Sequence, residues 1–199
     1  GIGGYLDLCI LHLPLARAVR TRLAAAREFL LEEISTRNTD LRILDIACGP
    51  CREYQDWRAK PATAKVDIVA MDSDAKAVDF VTSEVCGTVG EGTDLQPVRY
   101  NALRTRSSTA TIRKFGRFDL IYSVGLCDYL SDEHLVAMLA GWRDTLQDGG
   151  ALYVAFKDTN RYDETPYQWH LDWFFLQRTP EDVMRLYERA GFDVSSLEV

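Results

Sequence analysis

Apolar residues along this chain fall into two rhythms, one recurring every three or four positions and one packed into short continuous runs. The two alternate from end to end. The first suits a helix with one face on a core, the second a strand covered on both faces. After Pro14, residues Leu15, Val19, Leu23, Ala26, Leu30 and Ile34 form one stripe with Arg and Glu elsewhere, which predicts an amphipathic helix ahead of the sheet. Leu41 to Ile46 is the first predicted strand, Val66 to Met71 the second and Val98 to Tyr100 a weaker third. Phe118 to Val124 and Ala151 to Phe156 follow as the fourth and fifth, with helices in the gaps, and Phe192 to Val199 would add a sixth. Such alternation predicts an α/β fold with a doubly wound, mostly parallel sheet and helices on both faces.

Helix ends are marked as well. Ser131 is an N-cap with Asp132 and Glu133 in the positive-ended first turn, followed by a face of Leu135, Met138, Leu139, Trp142 and Leu146. Gly149-Gly150 is expected to end that helix and turn the chain into the fifth strand. Thr179-Pro180 opens a last helix, which Gly191 closes. Between the fifth strand and that helix, residues 157–178 are rich in Tyr, Trp, Asp and His, and a connection so long and aromatic suits a substrate lid.

The 199 residues, 47% apolar and 27% charged, are enough for one compact domain. Residues 1–40 are expected to form a helical segment packing on a body of residues 41–199. A formal charge of -7 repels phosphate backbones and anionic lipid, which argues against nucleic acid or membrane as main partner. Against that trend, Arg99, Arg104, Arg106, Arg113, Lys114 and Arg117 precede Asp119 without an intervening acid. They form a solvated helix face or a dock for an acidic protein partner. Five scattered cysteines are unlike a secreted disulfide framework, so a cytoplasmic location is expected. Cys48 and Cys51 form a CxxC with no second Cys/His pair nearby, so no metal is expected. No apolar run reaches the length of a membrane span and no signal peptide is evident. The chain begins Gly-Ile-Gly-Gly without Met, as a domain excised from a longer protein, with a flanking domain, would.

The chemistry centres on the turn after the first strand, where doubly wound sheets bind ligands. Asp45-Ile46-Ala47-Cys48-Gly49-Pro50-Cys51 has one glycine where a dinucleotide fingerprint needs G-x-G-x-x-G, so a nicotinamide dehydrogenase is disfavoured. It resembles instead the first motif of class I S-adenosylmethionine methyltransferases, D-x-G-x-G-x-G, with Ala47 and Cys51 replacing two glycines. The resemblance implies a Rossmann-like methyltransferase fold in which Asp45 lies near the cofactor's ammonium, directly or through water. Ala47, Gly49 and Pro50 would then let its amino-acid moiety approach the backbone. Asp72, with Ser73, closes the second strand where such folds accept both ribose hydroxyls, and a carboxylate has the paired acceptors a diol needs. Asn101 and Ala102 stand where the adenine lies, unless Asn101 is only a turn former. Ser123, Val124 and Gly125 end the fourth strand where backbone can line the transfer site.

Ile121-Tyr122-Ser123-Val124-Gly125-Leu126-Cys127-Asp128-Tyr129-Leu130 is similar to a subgroup, bacterial methyltransferases that make 3-hydroxy fatty acid methyl esters as quorum signals. Ala47 to Glu53 and Leu171 to Thr179 agree with it. The subgroup implies a small-molecule carboxylate acceptor, already anionic at neutral pH, oriented by His170, Arg178 or Tyr129 as donors. Leu126, Tyr129, Trp169 and Trp173 would wall the acceptor. Were the acceptor a phenol or amine of another metabolite, His170 would be the base. From a different class, the missing glycines leave open a catalytically silent binding module.

Overall fold

The computed structural model describes residues 1–37, 39–54 and 65–198. Helices α1 (Ile2–Leu11) and α2 (Pro14–Arg37) lead into strand β1 (Leu41–Ile46). There follow β2 (Val66–Asp72), α3 (Ala75–Phe80), β3 (Thr93–Arg99), α4 (Ser108–Phe115), β4 (Phe118–Ser123), α5 (Asp132–Thr145), β5 (Leu146–Val154), α6 (Thr165–Leu171) and α7 (Pro180–Arg189). After β1 only a 3-10 turn, Arg52–Tyr54, is described, so the helix expected in that gap lies largely outside the described residues.

The five strands are all parallel, in the order β3-β2-β1-β4-β5. The pleat sends alternate residues to opposite faces. Ile43, Ile68, Ala70, Leu120 and Tyr122 pack with Leu30 and Ile34 of α2 on one side. Leu44, Ile46, Val69, Met71, Phe118 and Ile121 pack with Leu135, Met138, Leu139 and Trp142 of α5 and with Leu186 and Tyr187 of α7 on the other. Two buried faces account for the unbroken apolar runs. The chain order reverses between β1 and β4, which opens a crevice at their carboxyl ends.

Three expectations are corrected. β3 starts at Thr93, five residues early, because it is an edge strand: its pairing with β2 is regular while only Leu95 in it is buried, so its sequence is mostly polar. Helix α5 ends at Thr145 rather than at the glycine pair, and Leu146 already pairs with Phe118. Gly149 and Gly150 fall in an irregularity of β5, between Leu146 opposite Phe118 and Ala151 opposite Leu120. Gly149 has φ +74°, and a β-carbon on Gly150 would stand 2.9 Å from Asp119 O. The sixth strand does not form among the described residues: the Asp193 carboxylate accepts the Ser195 N–H at 3.0 Å and winds Val194–Ser196 into a 3-10 turn.

Candidate functional site

The loop after β1 holds Ala47, Gly49 and Cys51 at φ 58°, 53° and 48°. All three positions that the glycine-rich pattern would fill with glycine are thus left-handed, and two are occupied by residues for which that conformation is strained. Ala47→Gly is expected to raise the unfolding free energy by about 1 kcal/mol. Urea denaturation checks this, and an unchanged or lowered midpoint refutes it. Cys51→Gly should gain less, because the Cys51 side chain is fully buried.

Backbone and side chain fix the loop to its neighbours. Cys48 N–H donates to Met71 O (3.0 Å), and Ser123 Oγ donates to Ile46 O (2.9 Å), tying β4 to β1. Asp72 Oδ2 accepts the Gly49 N–H and Oδ1 the Asp74 N–H, both at 2.9 Å. Half-buried at the end of β2, this carboxylate keeps acceptor capacity on each oxygen. A β-carbon on Gly49 would meet nothing within 4 Å, so the loop faces open space. Tyr100 N–H donates to Asp72 O (2.8 Å), bringing the end of β3 alongside. There Asn101 Oδ1 accepts the Leu103 N–H (2.9 Å) and starts a 3-10 turn in which Ala102 is buried. Ser73 is exposed, its carbonyl accepting from Arg99 Nε at 3.4 Å, and Pro50 is exposed.

Asp45 departs from the arrangement the resemblance implies. The pleat turns it to the same face as Ile43, so it lies 2% exposed beneath the loop and accepts the Cys51 thiol at 3.8 Å. Glu53 is buried beside it, where the Tyr122 hydroxyl donates to Glu53 Oε1 (2.7 Å) and shares a hydrogen bond with the Tyr54 hydroxyl (2.6 Å). Burial, then the charge of Glu53, pushes the Asp45 carboxyl well above its ordinary 3.8. A carboxyl whose folded pKa is raised contributes stability that is present below 3.8 and lost as pH rises through the folded value. Asp45→Asn should therefore stabilise the protein at pH 7 by on the order of 1 kcal/mol, the gap closing toward pH 4. Thermal melts across that range test it; a variant destabilised at every pH contradicts it. Asp45, Cys48 and Cys51 also bring their ligand atoms within 4.8 Å of one another, all buried, a grouping that the CxxC reading missed because its third member is a carboxylate. The Cys51 thiol is pushed far up, by its hydrogen bond with Cys48 first and by burial second, and a metal would have to displace its proton.

Beyond β4, Gly125 and Leu126 are half-buried, with Leu126 packed toward the α5 side of the core, and Val124 packs toward the α2 side. Asp128 is buried and binds three ways: Oδ1 accepts the Lys157 N–H (3.2 Å), Oδ2 pairs with Lys157 Nζ, and its carbonyl accepts the Leu176 N–H (2.8 Å). The Lys157 ammonium, also buried, sits 4.5 Å from the Phe175 ring centre, 5.3 Å from Tyr129 and 5.5 Å from Trp173. Trp173 Nε1 donates to Tyr129 Oη at 2.6 Å. Burial pulls the ammonium below the ordinary lysine value of 10.5, against the opposing pull of Asp128. Neither Asp128 nor Lys157 was singled out from sequence, where a lysine just past a strand reads as solvated.

The expected donors are not brought together. Arg178 is 3% exposed with its guanidinium committed: it donates to Cys127 O (2.9 Å) and Leu130 O (2.6 Å) and pairs with Asp132 (2.8 Å), staples that the parallel pairing of Asp158 with Arg178 puts in reach. It holds the turn after β4 rather than offering a free donor. His170 is exposed in the last turn of α6, and Trp169 is 82% exposed while Tyr167, two residues earlier, points inward and accepts the Leu15 N–H at 2.9 Å. Of the expected acceptor wall, the Tyr129 and Trp173 side chains meet in a hydrogen bond and Leu126 O accepts the Tyr129 N–H at 3.0 Å.

No family model matches the chain, and no curated protein matches it. Among solved structures, it is similar to a possible exported protein of Bordetella parapertussis at 23% identity and TM-score 0.67, over 91% of this chain and 63% of that one. It is similar to magnesium protoporphyrin IX methyltransferase of Synechocystis PCC 6803 with bound S-adenosylhomocysteine, at 13% identity and TM-score 0.62, over 90% and 75%. An S-adenosylmethionine-dependent methyltransferase of Archaeoglobus fulgidus matches at 12% and 0.59, over 88% and 69%. The fold is the one these methyltransferases share. The chain spans less than two thirds of the Bordetella protein's length. No helix among the described residues is long and apolar enough to cross a membrane.

Proposed function

We propose that this chain is an S-adenosylmethionine-dependent methyltransferase acting on a small-molecule oxygen, with a carboxylate acceptor favoured. The observation that carries the reading is the left-handed backbone at Ala47, Gly49 and Cys51, set at the β1/β4 switch point and tied through Gly49 to Asp72. Three turned-back residues without a side chain over Gly49 make a cradle, and Asp72 keeps the paired acceptors that a ribose diol uses. Gly49 and Ala47 would hold the cofactor's amino-acid end and Asp72 its ribose. Asn101 and Ala102 would flank the adenine, with Ser123 to Gly125 beside the reacting end. Asp45 supports the loop from below.

When bound, S-adenosylmethionine supplies a methyl group on a positively charged sulfur, open to in-line displacement. The chain's own task is to hold the acceptor in line and exclude water. A carboxylate acceptor needs no base, and the crevice suits that: Arg178 is spent on structure and His170 is exposed on α6. Tyr129 and Trp173, covering Lys157, would wall the acceptor under the lid of residues 157–178, while Leu126 backs it from the core. The resemblance to fatty-acid-methylating enzymes favours an acid of that kind, in a cytoplasmic setting that five free cysteines suit.

Calorimetric titration with S-adenosylhomocysteine should show binding, and methyl-labelled cofactor incubated with cell extract should label an acid-derived ester. Binding with no labelled product from any fraction would identify a silent module instead.

A further inference from the structure

Arg22 of α2 reaches the end of β4. Its Nη2 stands 3.7 Å from where a β-carbon on Gly125 would be. The residue is half-buried, and no hydrogen bond or ion pair ties its guanidinium to any described residue. Four other arginines, Arg42, Arg117, Arg143 and Arg178, instead donate to main-chain carbonyls. Arg22 is also close enough to Lys157 for its charge to oppose protonation of that ammonium. The carboxyl end of β4 therefore gathers two cations, Arg22 and Lys157, and of these Lys157 is already matched to Asp128. One guanidinium, with a planar fork of donors, is left facing the place where methyl transfer is assigned.

We propose that Arg22 receives the acceptor's carboxylate and so makes this site specific for an anionic acid. The inference rests on the methyltransferase reading of the crevice. An arginine fork meets a carboxylate through two parallel hydrogen bonds, which fixes the orientation of the acid as well as its charge. In the transfer itself an acid oxygen bonds to the methyl carbon as the carbon–sulfur bond breaks and its electron pair returns to sulfur. No proton moves, and both the acid and the sulfur finish neutral. Arg22 thus prefers the acid over the ester, which favours substrate capture and product release. Because the charge it holds disappears along the reaction, its loss should raise KM more than it lowers kcat. Without an acid bound, Arg22 also opposes a cationic sulfur more than a neutral one.

Two calorimetric measurements on the whole chain test this without knowledge of the natural acceptor. First, protein saturated with S-adenosylhomocysteine is titrated with octanoate and benzoate, each beside its methyl ester. Wild type is expected to bind an acid and not its ester, Arg22→Leu to bind the acid roughly 10- to 100-fold more weakly, and Arg22→Lys to recover part of that. Second, Arg22→Leu is expected to shift the ratio of S-adenosylmethionine to S-adenosylhomocysteine affinity roughly threefold or more toward the charged form. Unchanged S-adenosylhomocysteine affinity in the variant shows that the fold and cofactor site are intact. Acid and ester bound alike, acid binding untouched by Arg22→Leu, or no acid bound together with an unmoved cofactor ratio overturns the proposal. Wild type binding neither cofactor form overturns the methyltransferase reading itself and removes the proposal with it.

Discussion

Asp128→Ala is expected to cost about 3–5 kcal/mol of stability. The carboxylate neutralises a Lys157 ammonium that is itself buried under Tyr129, Trp173 and Phe175. Removing it leaves a cation with aromatic faces for company and no counter-ion in contact among the described residues, and it frees the Lys157 N–H as well. For a domain of this size the melting temperature should fall by roughly 6–20 °C. The double variant Asp128→Leu, Lys157→Met should recover most of it, because a pair replaced together by apolar groups no longer strands a charge. The consequence extends to the lid. Leu176 docks through the Asp128 carbonyl and Phe175 through the ammonium, so residues 173–177 should lose protection from hydrogen exchange in the single variant before the sheet does. A single variant that melts like wild type would show that the pair contributes no net stability.

This pair illustrates what the sequence withheld. Strands β1, β2 and β4 are legible because a strand covered on both faces needs an apolar residue at nearly every position, and Leu41 to Ile46 or Phe118 to Ser123 satisfies that locally. β3 is paired on one side only, and its Thr93, Asp94 and Gln96 hide its first half from any hydropathy pattern. The predicted last strand fails on one side chain, Asp193, whose carboxylate competes for the backbone. The loop proposed to hold the cofactor is legible because left-handed positions recur at a fixed spacing and tolerate few residues, so Ala47, Gly49 and Cys51 mark it with glycine at only one of the three. The proposed acceptor side is different. Arg22, Asp128 and Lys157 meet across more than a hundred residues of chain, and nothing local distinguishes Arg22 or Lys157 from a solvated charge. His170 and Arg178 drew attention by residue type, yet one faces solvent and the other staples a turn. A hint was present in the apolar setting of Asp128, between Cys127 and Tyr129 at the end of a buried strand, where an acid has to find a partner.

Asp72→Ala is expected to weaken S-adenosylhomocysteine binding by roughly a hundredfold or more, the largest effect on binding of any single change. Two contributions combine. The carboxylate holds the Gly49 N–H and the Asp74 N–H, so it fixes the loop's left-handed path relative to β2, and its remaining lone pairs are the acceptors assigned to the ribose diol. Two hydrogen bonds to a charged acceptor, at about 1.5–3 kcal/mol each, give the expected factor. Asp72→Asn separates them: its carbonyl can keep the Gly49 bond, but its amide turns a donor toward the Asp74 N–H, so an intermediate loss of roughly tenfold is expected. Asp74→Ala is the matched control, since Asp74 accepts the Lys76 N–H as the cap of α3 and is given no part in the cofactor site. It should cost about 1 kcal/mol of stability and leave the calorimetric affinity within a few-fold. If Asp72→Ala binds as wild type does while Asp74→Ala does not, the cofactor lies against the helix end rather than the strand end. The assignment of ribose to Asp72 would then be wrong, even though the loop at Gly49 kept its role.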